Sequence, residues 1–277
     1  MVEEADKTAD KRGVSGEIPV IEAVEWRESA PGGGSAAQVF RLSDERFAIV
    51  KFPENPQGEL VLANEFLCCQ LAQYFDLPIN RVVRVSIDER LLRLPRNDGK
   101  IPATFSGGIR CGMIRFEKPE PGQPSDIFAS CSNSSELHHV ILFEQLVCRQ
   151  DGRQLLMYAL EGESKKRFGA YDYGFAFGGN PNWTIDTLDP APAPILPAND
   201  PFTGTAYGDG APLAGFIDKL RTVQLDQLNL TLMELYPPRW GVTLDAVNAL
   251  AKFLVGRAES LVKQFDERHR PQQLEVF

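Results

Sequence analysis

The sequence lacks an apolar run long enough to cross a membrane, and it lacks closely spaced cysteines. No stretch approaches the roughly 18 apolar residues of a membrane-spanning helix. The five cysteines contain no Cys-x-x-Cys pair, so neither a zinc site nor a disulfide framework is indicated. Most of them stand in apolar segments, which predicts buried, reduced thiols; they are Cys68, Cys69, Cys111, Cys131 and Cys148.

An excess of positive charge is also missing. The 277 residues include 29 Lys and Arg against 38 Asp and Glu, a formal net charge of −9. This balance argues against a nucleic-acid-binding surface, which is usually basic. The charged N-terminus lacks the apolar core of a secretory signal. Together with the cysteine usage, these features predict a cytoplasmic protein with no membrane partner.

The order of sequence patterns predicts a strand-rich first part with one helix. Residues 1–17 are polar and aperiodic, which predicts a flexible tail. Glu59–Phe75 is apolar nearly all round, which predicts a buried helix. The predicted strands are Ile18–Trp26, Gln38–Leu42, Arg46–Phe52, Val82–Ile87, Leu91–Leu94 and Ile109–Phe116. We therefore assign residues 18–118 to a first lobe built on an antiparallel sheet.

A proline-rich segment divides the chain. Residues 119–126 begin with Pro119, Pro121 and Pro124, which predicts an irregular hinge or linker. The second lobe, residues 127–277, begins with a helix over Ser134–Arg149, for which Asn133 and Glu136 predict a capping box. Residues 181–212 are rich in proline and predict a long irregular loop. Regular apolar spacing from Leu244 to Phe265 predicts an amphipathic helix.

Two segments of the first lobe carry residues suited to binding phosphate. Gly32, Gly33, Gly34 and Ser35 form a glycine-rich turn between strands, whose N–H groups could hold phosphate oxygens; a plain hairpin turn is the alternative. Lys51 shares one face of its strand with Phe47 and Ile49. A lysine in such a strand needs an anionic partner unless it reaches water at the strand end.

Glu65 is the candidate partner of Lys51, because a buried carboxylate in an apolar helix requires a cation; an exposed position at the helix edge, beside Asn64, is the alternative. Glycine turn, strand lysine and helix glutamate follow one another in the order of a kinase phosphate clamp. In the second lobe Asp151 follows an apolar helix, where a catalytic loop belongs. Asp172 stands two residues before Gly174, similar to the kinase Asp-Phe-Gly element. His138 and His139 are interpreted as packing or surface residues, since no metal-site spacing surrounds them.

These segments resemble the HipA-like kinase family. The resemblance rests on Ile49–Gly58, on Leu62–Glu65 with the following Leu71–Gln73 and Leu77–Pro78, on Tyr171–Phe177, and on Trp240–Val242 with the helix after it. It covers roughly residues 18–265. It implies a two-lobed, α+β protein-kinase-like fold, with a small antiparallel-sheet lobe and a mainly helical lobe.

The family resemblance also implies a function and roles for residues. ATP and magnesium would be bound, and the γ-phosphate would pass to a Ser or Thr hydroxyl of a protein. Lys51 would hold phosphates, Asp151 would be the catalytic aspartate, and Asp172 would bind metal. The nucleotide base would lie near Ile49 and a hinge around Ile114–Glu117, which includes Phe116.

The segment around Asp151 departs from the family pattern. The metal-binding asparagine expected five residues after the aspartate is absent, and Gln154 stands only three residues on. A glutamine amide can offer its carbonyl oxygen to magnesium, so Gln154 is the second candidate metal ligand. A pseudokinase that binds nucleotide or a protein partner without phosphoryl transfer is therefore the alternative. A third possibility is a site for another small metabolite, in a pocket without Lys51 and Asp172.

Overall fold

Five strands from the first part of the chain close into a barrel. The structure is a computed structural model that describes residues 18–30, 34–94, 101–116, 118–178, 181–188, 191–199, 207, 210–228, 232 and 240–269. The barrel strands are β1 (Val20–Ser29), β2 (Gln38–Leu42), β3 (Phe47–Lys51), β4 (Val82–Ile87) and β5 (Gly108–Ile114). Their order around the barrel is β1-β2-β3-β5-β4. The predicted tail, residues 1–17, lies outside the described residues.

The barrel corrects the prediction of an antiparallel sheet. Four of its strand pairs are antiparallel, but β1 and β4 pair in parallel between Val20–Glu22 and Arg84–Ser86. The later part of β1 pairs with β2 instead, with register shifts after Ala23 and after Trp26. Such irregularities bend a strand and increase its twist, which lets one long strand serve two neighbours. Local periodicity does not reveal this second pairing.

Strand β3 separates two environments. Ala48 and Val50 are buried in an apolar cluster with barrel residues such as Phe40 and Val85. Side chains alternate between the two faces of a strand, so Lys51 points away from this cluster, on the same side as Ile49. This placement follows the face predicted from the sequence.

Helix α1 (Leu60–Tyr74) is buried on all sides, as its composition predicts. Its apolar side chains belong to the second apolar cluster of the molecule, together with residues of the C-terminal half. Asp76 has a φ of +53° and follows the helix, and the N–H of Leu77 donates to the carbonyl of Ala72. This left-handed residue terminates the helix before Pro78.

The described C-terminal half combines helices with a small sheet. The strands β6 (Glu120–Pro121), β7 (Gln154–Tyr158) and β8 (Arg167–Tyr171) form a three-stranded sheet in that order. Its helices include α3 (Pro124–Ser130), α4 (Leu137–Leu146), α5 (Ile185–Leu188), α6 (Ala211–Arg221) and α7 (Leu244–His269). Helix α7 buries the predicted face, including Val247, Leu254 and Phe265, whereas Leu244 is exposed.

Three local predictions differ from the structure. The predicted strand Leu91–Leu94 is part of a short helix, α2 (Glu89–Arg93), because the Asp88 side chain accepts the N–H of Arg90 and caps it. The predicted linker contains regular structure: Glu120–Pro121 pairs with β7, and Pro124 opens α3. Proline is favourable in the first helical turn, where its missing N–H has no partner to lose.

The predicted capping box at Asn133 is the third difference. A 3₁₀ turn, Ser134–Glu136, precedes α4, and Asn133 makes no side-chain cap bond. Its amide instead donates to the Phe168 carbonyl at 3.1 Å, and its oxygen accepts the Phe168 N–H at 3.0 Å. A strand 35 residues away thus outcompetes the local helix end for this side chain.

The predicted burial of the cysteines is confirmed. All five cysteines are free and buried. No helix among these residues has the length and apolar character that a membrane span requires.

Candidate active site

Lys51 lies at the end of β3 and binds two carboxylates. Its Nζ lies 2.7 Å from Oε2 of Glu65 and 2.7 Å from Oδ1 of Asp172. The lysine side chain is only 4% exposed. The structure therefore brings Lys51 together with two candidates that stand 14 and 121 residues from it in the chain. We call Lys51, Glu65 and Asp172 the charged triad.

Glu65 is held from two sides. Its side chain is fully buried within α1, and both carboxylate oxygens lie 3.1 Å from the backbone nitrogen of Tyr173. A buried carboxylate is tolerated only when cations and N–H donors compensate for its lost hydration. Lys51 and the Tyr173 N–H provide this compensation.

Asp172 follows β8 in a left-handed conformation, with a φ of +60°. Its Oδ2 accepts the Nε2 amide of Gln154 at 3.2 Å. Gly174 leaves room for this arrangement, since a Cβ there would lie 2.9 Å from Cγ1 of Val61 and 3.5 Å from Nζ of Lys51. The missing side chain at Gly174 thus permits the close approach of α1, the lysine and the loop.

The charges of the triad set its protonation. Burial alone would lower the pKa of Lys51, but the two carboxylates raise that pKa above its ordinary value. Burial tends to raise the pKa of Asp172, yet the charge and hydrogen bond of Lys51, together with Arg149 and Gln154, outweigh this effect and the pKa is lowered. Burial raises the pKa of Glu65, against the opposing charge of Lys51. At neutral pH Lys51 is a cation and Asp172 an anion.

Asp151 belongs to a neighbouring charged cluster. Arg149 donates from Nε to Oδ1 of Asp151 at 2.8 Å, whereas its Nη2 lies 3.5 Å from Oδ2. Nη2 also donates to the Gly152 carbonyl at 2.9 Å, and the guanidinium lies 4.7 Å from the ring centre of Tyr173. These contacts fix Arg149 and leave Oδ2 the less engaged oxygen of Asp151.

Glu144 completes this cluster from α4. Its carboxylate lies 3.4 Å from Arg149 and pairs at 2.5 Å with Arg153. Sequence reasoning did not select Arg149 or Glu144 as site residues. The sequence does offer a signal. Arg149 stands two residues before Asp151, just after an apolar helix that carries Glu144.

The loops that carry Asp151 and Asp172 are joined through their backbones. The Gln150 N–H donates to the Phe175 carbonyl at 2.9 Å, and the Phe177 N–H donates to the Val147 carbonyl at 2.6 Å. Phe177 and Cys148 also adopt left-handed conformations, with φ of +65° and +49°. Strained residues of this kind persist where the surrounding structure holds them, and they concentrate at functional sites.

Gln154 and Asp172 are the candidate metal ligands. No cluster of three or more His, Cys, Asp or Glu side chains suited to a metal occurs in the described part of the chain. Magnesium in nucleotide sites is commonly bound by one or two carboxylates together with phosphate oxygens and water. One carboxylate and one amide fit that limited requirement, provided that the Gln154 amide rotates to present its oxygen, since its nitrogen faces Asp172.

The other candidates for nucleotide binding that the structure describes occupy varied settings. Gly34 and Ser35 are in the β1–β2 turn, and a Cβ on Gly34 would meet the Gln57 amide at 2.6 Å. Ile49 is partly buried on the Lys51 face of β3. Phe116 stacks on Tyr158, with ring centres 4.1 Å apart. Gly32, Gly33 and Glu117 lie outside the described residues.

The two histidines of α4 pack as predicted. Nδ1 of His138 lies 3.1 Å from the Tyr207 hydroxyl, and the His139 ring stacks near Phe216. Neither residue takes part in the charged triad.

Comparison with known proteins identifies the fold. No protein-family model and no curated protein matches the chain. Among solved structures it is similar to the Helicobacter pylori proinflammatory kinase CtkA, at 12% identity over 91% of this chain and 98% of that one, with a TM-score of 0.54. It is also similar to the Golgi casein kinase, at 11% identity over 92% and 73% of the two chains, with a TM-score of 0.49. The similarity to CtkA shows an α+β protein-kinase-like fold.

Proposed function

We propose that this protein is an ATP- and magnesium-dependent kinase that transfers the γ-phosphate to a Ser or Thr hydroxyl of a protein. The charged triad carries this proposal. A lysine paired with a helix glutamate and with an aspartate after a strand is the arrangement that kinases use at nucleotide phosphates. The kinase-like fold shared with CtkA supports it. The HipA-like resemblance of the same segments points to the same activity.

The proposed roles follow from the contacts of each residue. Lys51 would bind nucleotide phosphates, with Glu65 keeping its ammonium in place. Asp172 and Gln154 would hold magnesium, which when bound neutralises phosphate charge. Asp151 would orient the acceptor hydroxyl and take its proton through Oδ2, the oxygen that Arg149 engages less. Catalysis of this kind consists mainly of positioning and charge stabilisation.

The proposed architecture places nucleotide between two lobes. Residues 18–118 form the first lobe, 119–126 the hinge and 127–277 the second lobe. Gly32, Gly33, Gly34 and Ser35 would cover the phosphates, and the base would lie near Ile49, Phe116 and Glu117. We propose this division from the sequence. The apolar cluster of α1 extends across it into the C-terminal half.

A second candidate function is a pseudokinase that binds nucleotide or a protein partner without phosphoryl transfer. One contact favours it: Arg149 pairs with Asp151, the residue proposed to receive the acceptor hydroxyl. The strand β7 also begins at Gln154, which leaves only Gly152 and Arg153 between Asp151 and the strand. The proline-rich 181–212 segment would then present a surface to a partner.

Thermal melting with ATP tests the nucleotide site. A ligand that binds only the folded chain raises the melting temperature by mass action, by an amount equivalent to about 2.7 kcal/mol at a hundredfold excess over Kd. We expect a rise with ATP and magnesium that Asp172→Ala abolishes and that Asp245→Ala, an exposed carboxylate on α7, preserves. Absence of any rise at millimolar ATP would contradict nucleotide binding.

Transfer of labelled phosphate separates the two functions. The kinase proposal predicts incorporation of the γ-phosphate into a generic protein acceptor by the wild type and a loss in Asp151→Asn. Nucleotide binding without incorporation by the wild type would instead support the pseudokinase. Incorporation that survives Asp151→Asn would contradict the role proposed for Asp151.

A further inference from the structure

We infer that Asn64 is a positioning residue, which ties α1 to the segment after Asp172 and keeps the charged triad assembled before any ligand binds. Asn64 precedes Glu65 and is fully buried. The importance of this tie for nucleotide binding rests on the proposed function, whereas the tie itself is a property of the fold.

All polar atoms of the Asn64 side chain have partners on one distant segment. Nδ2 donates to the Gly174 carbonyl at 2.8 Å and lies 3.5 Å from the Pro181 carbonyl. Oδ1 accepts the indole N–H of Trp183 at 2.7 Å. These partners stand 110 to 119 residues from Asn64 in the chain. They also fix the orientation of the amide, because a flipped amide would oppose donor to donor and acceptor to acceptor.

Asn64 forms one rung of a ladder between α1 and the Asp172 loop. Asn64 binds Gly174, and the next helix residue, Glu65, binds the N–H of Tyr173. The residue before Tyr173 is Asp172, which binds Lys51. A buried polar group that loses its hydrogen-bond partner destabilises the fold. A shift of α1 along the loop would break these adjacent hydrogen bonds together, so it is strongly disfavoured.

The far end of the tie is anchored as well. Trp183 is 3% exposed and meets Phe177 edge-on, with ring centres 5.8 Å apart. Phe177 is in turn bound through its N–H to the Val147 carbonyl at the end of α4. The tie therefore connects α1 to the backbone that leads into Asp151.

This arrangement predicts that the site needs no activating movement of α1. A helix held by buried hydrogen bonds on its polar side and by apolar packing elsewhere does not swing out in the free protein. The site then binds nucleotide without a preceding rearrangement of α1, so its affinity is not reduced by the population of an incompetent state. We expect nucleotide affinity to be independent of an activator acting on α1.

Hydrogen exchange at the Tyr173 amide tests the tie without relying on activity. Asn64→Ala removes the tie, and Asn133→Ala removes another buried amide, whose partners are the backbone of Phe168 and, at 3.5 Å, the Glu136 carboxylate. We expect Asn64→Ala to accelerate exchange of the Tyr173 amide about tenfold more than it accelerates the most protected amides. In Asn133→Ala the ratio should stay at its wild-type value. Trp183→Phe, which keeps a ring but removes the N–H, should give an intermediate ratio and serves if Asn64→Ala fails to fold.

A nucleotide titration extends the same comparison. By thermal shift with ATP and magnesium, Asn64→Ala should bind about tenfold more weakly than the wild type, whereas Asn133→Ala should bind equally well. A wild type that does not respond to ATP would refute the proposed function, and the exchange ratio would still decide the role of Asn64. An unchanged Tyr173 ratio in both Asn64→Ala and Trp183→Phe, or the same change in Asn133→Ala, would overturn the inference.

Discussion

Lys51 is the residue on which the two carboxylates of the site depend. Its Nζ lies 2.7 Å from Glu65 and from Asp172, and Glu65 has no exposed surface. Removing one partner of a buried ion pair leaves an uncompensated charge, which costs more than the pair itself contributes. Lys51 therefore affects stability as well as the proposed binding of phosphate.

Lys51→Met should destabilise the protein by about 3–5 kcal/mol at neutral pH. The loss should be smaller at pH 5 because burial raises the pKa of Glu65, and without Lys51 this group stabilises the fold most in its protonated form. A raised folded-state pKa contributes stability at low pH, which is lost as pH rises through it. Urea denaturation at both pH values measures the effect, with Lys252→Met on the exposed side of α7 as control. Equal losses at both pH values would contradict this account.

The ion pair between Arg149 and Asp151 distinguishes the proposed kinase from the proposed pseudokinase. If Arg149 positions Asp151, Arg149→Gln should lower the rate of phosphoryl transfer about a hundredfold, since small displacements of a reacting group have effects of this size. The KM for ATP should stay constant because the triad is untouched. Arg153→Gln is the matched control. Like Arg149, Arg153 contacts Glu144, and its guanidinium lies 2.5 Å from the Glu144 carboxylate. An increase in transfer by Arg149→Gln would show that the arginine restrains Asp151.

At the scale of elements, the contact between α1 and the Asp172 loop is limited by side-chain volume. A Cβ on Gly174 would lie 2.9 Å from Val61, closer than real contacts allow. Val61 is fully buried on α1, so neither α1 nor the Asp172 loop can move away easily to relieve such a contact. The two elements are thus packed at the distance that the hydrogen-bonded ladder requires.

Gly174→Ala should cost about 1–3 kcal/mol by overpacking and should weaken the nucleotide-dependent thermal shift. Val61→Ala removes the opposing methyl groups, so the double variant should recover part of both losses. A double-mutant cycle by urea denaturation and ATP titration measures this coupling. Strict additivity of the two substitutions would show that the predicted clash does not govern the contact.

Several elements were predictable from local pattern. The strands Gln38–Leu42 and Val82–Ile87 occur with the predicted bounds, and the apolar helix around Glu65 is buried as expected. The failures have a common physical origin. Residues 91–94 have a strand-like pattern, but the Asp88 side chain caps helix α2, which begins at Glu89 and includes residues 91–93. A side-chain cap outweighs a weak strand preference.

At the scale of the whole molecule, α1 packs against the C-terminal half as well as against the barrel strands β4 and β5. Phe66 meets Trp240 edge-on at 5.5 Å, and Phe75, just after α1, lies 5.1 Å from Phe216. The apolar residues of α1 therefore share one buried cluster with residues of α4, α6 and α7. The lobe boundary proposed near residue 119 separates segments that share this cluster.

A fragment of residues 18–118 should fail to fold cooperatively. It would expose the apolar face of α1 and leave Lys51 and Glu65 without Asp172. Circular dichroism and thermal melting of the fragment, beside the full chain, measure this. A cooperative melt of the fragment would contradict the dependence of α1 on the C-terminal half.

Acid should weaken the full chain partly through Asp172. Burial alone would raise its pKa, but the charge and hydrogen bond of Lys51, together with Arg149 and Gln154, lower that pKa in the folded state. A lowered carboxyl pKa contributes stability above the unfolded value of about 3.9, and this contribution is lost as pH falls through the folded value. Urea denaturation from pH 7 to pH 3 should show a steeper decline for the wild type than for Asp172→Asn. Parallel declines would contradict the prediction.

The candidate site was only partly readable from the chain. Lys51, Glu65 and Asp172 are recognisable because charged residues interrupt apolar elements in a collinear order. Arg149, Glu144 and Asn64 were not recognised as site residues. Their neighbours in sequence gave no sign that their partners would lie on another loop or strand.

The sequence by itself determined the longer strands and helices, such as Gln38–Leu42 and the helix around Glu65, the faces that are apolar, and the need of buried charges for partners. Only the tertiary structure decided which groups pair: the parallel β1–β4 contact, the triad, and the tie from Asn64 to Trp183. The physical reason is that periodicity specifies the face that an element buries, whereas it does not specify what that face meets. Hydrogen bonds and ion pairs spanning 110 to 121 residues depend on the packing of the whole chain.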